Sequence, residues 1–135
     1  MVKNMIKKLK LDTDWLISKE LFKEYNKKFE TLKIKIYNKD ITTNDKYKIN
    51  IDSSSFIEEN IFNDDKDYFV RYIDTSNRLP LKERKIIYLC YIEKDNEYQD
   101  LFIAHNMGYS LTYFYNIKKK AIIDFTIAFG VITIE

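Results

Sequence analysis

Hydrophobic and polar positions between residues 98 and 128 follow the period of two helices separated by a short turn. Residues spaced by three and four give each helix one apolar face. The apolar set is Leu101, Ile103, Ala104 and Met107 before the turn, and Phe114, Ile117, Ala121, Phe125 and Ala128 after it. The pattern predicts a pair of helices joined by a tight turn in the last third of the chain.

The predicted turn carries the two signals that helix ends need. Gly108 follows the first apolar face, where a helix often ends on a residue with left-handed backbone. Ser110 can cap the second helix, because its hydroxyl can accept from the unpaired N–H groups of the first turn. The small Ala104 and the apolar Phe114 would let the helices approach closely around a buried ring. This spacing is typical of a helix-turn-helix, whose second helix enters the DNA major groove, although an ordinary helical hairpin is an alternative.

Polar and aromatic residues occupy the opposite face of the second helix. The residues expected to face outward are Leu111, Thr112, Tyr113, Tyr115, Asn116, Lys118 and Lys119. Asn116 can form two hydrogen bonds with adenine, tyrosine hydroxyls commonly meet phosphates, and threonine carbons can meet thymine methyls. Lysines and Arg84 suit phosphates, since a cation near the backbone needs only loose geometry. The candidate DNA-binding set is Ser110, Thr112, Tyr113, Tyr115, Asn116, Lys118, Lys119, Lys120 and Arg84.

A heptad-like seam lies near the N-terminus. Its members are Trp15, Phe22, Tyr25, Phe29, Leu32 and Ile36. The seam predicts a long amphipathic helix laid against the rest of the protein, and a short coiled-coil dimer contact is the alternative. Leu32–Ile36 and Tyr47–Ile51 also alternate with period two, so a small β-hairpin within residues 32–51 stays open. The expected fold class is therefore all-α, with a long N-terminal helix and a C-terminal helix-turn-helix.

Charge divides the chain into three parts. Residues 1–39 carry 11 lysines and 5 acids, residues 40–80 carry 5 basic and 9 acidic residues, and residues 81–135 carry 7 of each. We therefore expect an N-terminal helical arm (1–37), an acidic, serine-containing linker (38–65) and a helix-turn-helix domain (66–135). The net charge is only +2, so any DNA contact must come from local basic patches. Gly130 is expected to end the last helix, leaving an apolar tail.

Several classes of function lack the residues they need. The chain has one cysteine and one histidine, and no metal-ligand spacing, phosphate loop or nucleophile motif stands out. We therefore expect no enzyme activity, no cofactor and no metal site. No apolar run approaches the ~20 residues of a membrane span. The lone Cys90 fits a reducing cytoplasm, where it would act as a small buried hydrophobe.

The order of these signals resembles a known group of DNA-binding domains. The sequence RLPLKERKIIYLCYI, followed by YQDLFIAHNMGYSLTYFYNIKKKAI, is similar to sigma-factor region four. There, a Leu-Pro and charged residues open a helix, and an Ala-x-x-[Met/Leu]-Gly-[apolar]-Ser helix-turn-helix reads promoter DNA. Within that group the chain looks most like the ArpU family of phage transcriptional regulators. The similarity lies in an acidic, serine-rich stretch (Ser53–Asn60) and in the ending Ser110, Tyr115, Lys118, Ala121 and Phe125.

The resemblance implies a regulator of phage late or lysis genes that binds double-stranded DNA through the helix starting at Ser110. It also implies contact with RNA polymerase. The outward face is aromatic rather than arginine-rich, which leaves the base preference open. Two alternatives remain: a phage DNA-packaging or replication accessory, and a protein–protein adaptor that works through the Trp15–Ile36 helix. A homodimer could form through that helix or through the C-terminal tail.

Overall fold

The computed structural model of this chain describes residues 11–37, 39–57, 63–93 and 100–134. These ranges contain five α-helices: α1 (Leu11–Ile36), α2 (Asn63–Arg78), α3 (Leu81–Ile87), α4 (Asp100–Asn106) and α5 (Leu111–Ile134). A π-helical turn (Tyr88–Ile92) prolongs α3, and a 3-10 turn (Ser53–Ser55) lies in the loop before α2. Within the described ranges, pairing between extended segments is limited to isolated bridges, so the all-α prediction is confirmed.

The apolar seam of α1 packs inside the protein. Phe22, Phe29, Leu32 and Ile36 are all buried, and α1 lies against α2 and α5. The Phe29 ring stacks on Tyr72 of α2, with centroids 4.0 Å apart and planes 10° apart. Burying each such side chain is worth roughly 1.5–3 kcal/mol, which makes α1 a structural part of the core. The amphipathic-helix prediction is confirmed, and the apolar seam packs against α2 and α5 of the same chain.

The β-hairpin that the alternating pattern left open does not form. Residues 32–36 belong to α1, where Leu32 and Ile36 share the buried face, as residues four apart do in a helix. Ile34, which a strand would place beside them, is 79% exposed. Further along, a single bridge joins Thr43 to Ile49 around a turn in which the N–H of Tyr47 donates to the carbonyl of Asn44 at 3.0 Å.

Hydrogen bonds hold the loop before α2 against the helices. The Asn77 side chain of α2 accepts from the N–H of Ile49 at 2.8 Å and donates to its carbonyl at 2.9 Å. The hydroxyl of Tyr72 donates to the side-chain oxygen of Asn26 at 3.0 Å, which links α2 to α1. One core cluster thus includes residues from all three predicted segments. The division into arm, linker and domain itself stays a prediction.

The last helix is longer than the sequence indicated. The expectation that Gly130 ends it is wrong, because α5 continues through Gly130 to Ile134. The hydroxyl of Tyr25 packs so closely that a Cβ at position 130 would lie 3.1 Å from it. The glycine therefore serves close packing between α1 and α5 and is no helix stop. The expected C-terminal tail forms the last turn of α5. None of the described helices has the length and apolar content needed to cross a membrane.

Candidate nucleic-acid interface

The turn between α4 and α5 is closed by backbone hydrogen bonds of the Schellman type. The N–H of Tyr109 donates to the carbonyl of Ala104 at 2.9 Å, and the N–H of Gly108 donates to the carbonyl of His105 at 3.0 Å. Gly108 has φ of +72°, in the left-handed region that glycine adopts without strain. The predicted turn is confirmed, and it fixes the direction in which α5 starts.

Ser110 caps α5 as its position in the sequence predicted. Its hydroxyl oxygen accepts from the N–H of Tyr113 at 3.2 Å, and its carbonyl accepts from the N–H of Phe114 at 2.9 Å. An N-cap of this kind stabilises a helix by about 1 kcal/mol. Ser110 therefore sets the first turn of α5, whose outer face carries the predicted base-reading residues.

A small second core holds α3, α4 and α5 together. Its buried members are Ile86, Ile103, Ala104 and Phe114, and Phe114 is fully enclosed. The small Ala104 allows α4 to approach the Phe114 ring, as the spacing of these residues predicted. Cys90 packs against this cluster, and burial raises the pKa of its thiol to about 12. The cysteine therefore remains a neutral thiol, but it is partly buried and not fully buried as the sequence predicted.

The first residues on the outward face of α5 are exposed, as the sequence predicted. Thr112, Tyr115 and Asn116 are exposed, and Tyr113 keeps 41% of its surface exposed. Tyr113 also has a partner that the sequence could not indicate, because the ammonium of Lys82 donates to its hydroxyl at 2.8 Å. This hydrogen bond raises the pKa of Lys82. Lys82 thus stays charged beside the first turn of α5.

Lys118 does not face outward, so that part of the prediction is wrong. Its side chain is only 17% exposed, and its ammonium lies 2.8 Å from a carboxylate oxygen of Asp100 on α4. Burial lowers the pKa of Lys118, but the hydroxyl of Tyr91 and the carboxylate of Asp100 outweigh this and raise it. The lysine is held by charges inside the protein and is poorly placed to meet a phosphate.

Lys120 takes part in a cluster with two acids. Its ammonium lies 2.7 Å from an oxygen of Asp124, one turn along α5, and 3.4 Å from an oxygen of Glu83 on α3. Glu83 is buried although it is a charged residue. Burial, followed by a hydrogen bond and charge repulsion from Asp124, raises the pKa of Glu83 to about 7. Lys120 is itself largely exposed, but its ammonium forms ion pairs with these two carboxylates.

Arg84 has a role inside the protein. Its Nε donates to the carbonyl of Lys46 at 2.8 Å, and another guanidinium nitrogen donates to the carbonyl of Leu79 at 2.8 Å. The guanidinium thus ties the loop before α2 to the start of α3. The expectation that Arg84 faces water or phosphate is replaced by this structural role.

Lys119 lies beside the first helix. Its ammonium is 5.5 Å from the centre of the Trp15 ring of α1, and the ammonium of Lys19 lies 6.0 Å from the same ring. The candidate DNA-binding set predicted from the sequence contains neither Lys19 nor Lys82. The signal for Lys19 was its position four residues after Trp15, which places both residues on one helical face. The contact between α1 and α5 itself could not be inferred from local spacing.

The described residues contain no group of three or more His, Cys, Asp or Glu side chains that could hold a metal ion. Comparison with known protein families, with curated proteins and with solved structures found no match to this chain. The resemblance to sigma-factor region four and to the ArpU family therefore stays a prediction that rests on the residues quoted for it.

Proposed function

We propose that this protein is a sequence-specific DNA-binding transcriptional regulator and that α5 is its recognition helix. The observation that carries the proposal is the joint between α4 and α5. A glycine turn, a serine cap and a buried phenylalanine fix α5 on its inner side, and its first turns expose Thr112, Tyr115 and Asn116. A helix that is held from one side and polar on the other can lie in the major groove.

The exposed side chains have the chemistry for contacts with base edges. The Asn116 amide can both donate to and accept from an adenine edge, and the Thr112 methyl can meet the methyl group of thymine. Tyr113 and Tyr115 offer hydroxyls to phosphate oxygens. The set is suited to A·T pairs, because Asn116 matches the adenine edge and Thr112 matches the thymine methyl group.

The phosphate contacts differ from those that the sequence suggested. Lys118, Lys120 and Arg84 are engaged within the protein, whereas Lys82 and Lys119 stand beside the exposed face. We assign Lys82 and Lys119 to phosphates, and each should contribute about one counterion to the salt dependence of binding. With so few cations, specific binding would depend strongly on base contacts.

The resemblance to sigma-factor region four and to ArpU proteins supplies the biological setting of the proposal. In this setting the protein acts at promoters of phage late or lysis genes, in the cytoplasm, and touches RNA polymerase. The adaptor alternative, which works through the Trp15–Ile36 helix, would have to use the outer face of that helix, because most of its apolar seam is buried.

The test is fluorescence anisotropy of the purified chain on DNA. The probe is a labelled duplex from the region upstream of the gene and its neighbours, beside a scrambled duplex, over a series of salt concentrations. Asn116→Ala should weaken binding to the upstream duplex by roughly 1–3 kcal/mol and leave binding to the scrambled duplex unchanged. Asn50→Ala, at an exposed position in the loop before α2, is the matched control.

Two results would contradict the proposal. Equal and steeply salt-dependent binding to both duplexes would indicate non-specific DNA handling, as in packaging. A loss that is the same for Asn116→Ala and Asn50→Ala would show that α5 is not the reading surface. Addition of RNA polymerase to the same assay checks whether binding needs that partner.

A further inference from the structure

We propose that a cleft between α1 and the first half of α5 binds a small planar aromatic anion. The cleft has a volume of about 540 Å³, within the range of small-molecule sites. Its walls are the aromatic rings of Trp15, Phe22, Tyr91 and Tyr115, with lysines and two asparagines at their edges. This inference goes beyond DNA binding, since it concerns a ligand that needs no nucleic acid.

The charge around the cleft indicates an anion. Among the residues whose side chains the structure describes, four lysines line the cleft and no carboxylate does. Lys118 is neutralised by Asp100, which leaves Lys19, Lys23 and Lys119 to set the local potential. The ammonium groups of Lys19 and Lys119 approach the same Trp15 ring, from α1 and from α5 respectively. An anionic group between them would be attracted by both charges.

The rings indicate that the rest of the ligand is flat. Flat aromatic walls favour stacking with a planar ring system, which adds to the burial of apolar area. One polar group of the cleft is held in place: Asn26 accepts from the hydroxyl of Tyr72 at 3.0 Å, so its amide has a fixed orientation. Apolar walls combined with oriented polar groups are the usual composition of a ligand pocket.

The cleft shares residues with the proposed DNA-reading face. Tyr115, Asn116 and Lys119 line the cleft and also stand on the outer side of α5. A ligand bound there would compete with DNA for these side chains. This consequence rests on the proposed function, whereas binding of the ligand does not. Titrations without DNA therefore separate a failure of one from a failure of the other.

The experiment uses two probes with the same ring skeleton. Anilinonaphthalenesulfonate is an aromatic anion with a flat naphthalene ring, and phenylnaphthylamine is its neutral parent without the sulfonate. Both are titrated into the full chain by calorimetry, together with the emission of Trp15, which is the only tryptophan in the sequence. We expect one sulfonate probe per chain, a change in Trp15 emission, and binding at least about tenfold tighter than that of the neutral parent.

Paired lysine variants test the location of the site. Lys19→Gln combined with Lys119→Gln should weaken the sulfonate probe by about tenfold or more, because the two ammonium groups beside the Trp15 ring are lost. Lys27→Gln combined with Lys48→Gln removes the same charge from exposed positions outside the cleft and should leave binding unchanged. Thermal unfolding followed by circular dichroism verifies that both double variants are folded.

The proposal is overturned if the two double variants lose affinity equally, since the probe would then report net charge alone. It is also overturned if both probes bind with the same affinity, or if the sulfonate probe binds at several equivalent sites. Tyr115→Ala gives a second check that leaves every charge in place. It should weaken both probes, because it removes one of the flat walls.

Discussion

The two halves of α5 differ sharply in how they meet the rest of the protein. Among residues 111–119, Phe114 alone is buried, whereas seven of the ten residues 121–130 are buried. The buried set of the second half is Ala121, Ile122, Ile123, Phe125, Thr126, Phe129 and Gly130. The second half is an anchor within the main core, and the first half is a projecting surface.

A single continuous helix that is anchored at one end gives its other end a fixed direction. A side chain on such an element is positioned more accurately than one on a loop, which is what recognition of a partner needs. The difference also separates two kinds of substitution. Changes in the second half should act on stability, and changes on the outer face of the first half should act on binding.

The largest expected effect is that of Phe125→Ala. Phe125 is fully buried, and its ring centre lies 5.2 Å from that of Phe22 and 4.7 Å from that of Tyr72. Removing the ring leaves a cavity between α1, α2 and α5, and should cost about 3–5 kcal/mol of the free energy of unfolding. Urea unfolding followed by circular dichroism measures this loss.

The matched control is Tyr115→Ala in the first half of the same helix. Tyr115 is 46% exposed, so its removal should change the free energy of unfolding by less than about 1 kcal/mol. Similar losses for the two variants would contradict the division of α5 into an anchor and a projecting surface.

The second prediction concerns the pH dependence of the contact between Glu83 of α3 and the second half of α5. The pKa of Glu83 is raised from 4.5 to about 7 in the folded protein, so the folded state binds more protons than the unfolded state between these values. The free energy of unfolding should therefore fall as the pH rises from about 4.5 to 7, and then level off. Thermal unfolding at a series of pH values measures the fall.

Glu83→Gln should remove this dependence. At pH 8 the variant should be more stable than the wild type by an amount on the order of 2 kcal/mol, because the buried carboxylate beside Asp124 is gone. At pH 5 the two proteins should be about equally stable, since Glu83 is then protonated. Glu20→Gln, at an exposed position of α1, is the control and should leave the pH profile unchanged.

The third prediction tests the joint from which the first half projects. Gly108→Ala should cost about 1–2 kcal/mol, because an L-residue is strained at φ of +72°. The cost is purely one of backbone conformation, since a Cβ at position 108 would meet no atom within 4 Å. Gly108→Asn should cost less, because asparagine tolerates this region better. Equal losses for alanine and asparagine, measured by urea unfolding, would contradict this explanation.

These cases show which features the sequence could predict. Gly108, Ser110 and Phe114 were found correctly, because helix caps and apolar spacing act over a few residues. Contacts between distant segments could not be read from local patterns. One such contact is the close approach of Tyr25 to Gly130, which lies 105 positions later inside α5.

The misplaced charges have the same origin. Lys118 and Arg84 looked like surface cations, because nothing near them in the sequence shows that Asp100 and the carbonyl of Lys46 would be their partners. Likewise, the alternation of Leu32, Ile34 and Ile36 suits a strand as well as a helix. Packing of α1 against α2 decided between them, at the cost of exposing Ile34.

The smallest expected effect on stability comes from replacing one threonine by alanine in each half of α5. This pair of variants also gives the sharpest comparison of the two halves. Thr126→Ala removes a buried hydroxyl that donates to the carbonyl of Ser18 at 3.4 Å, and should cost about 1 kcal/mol. Thr112→Ala removes an exposed side chain and should change the free energy of unfolding by no more than about 0.5 kcal/mol.

In DNA binding, the order of the two effects should reverse. Thr112→Ala should relax the preference for thymine at one position of the upstream duplex, because a methyl contact is lost, whereas Thr126→Ala should leave anisotropy titrations unchanged. A stability loss for Thr112→Ala as large as that for Thr126→Ala would mean that the first half of α5 is also a structural element, and the case for a projecting reading surface would fail.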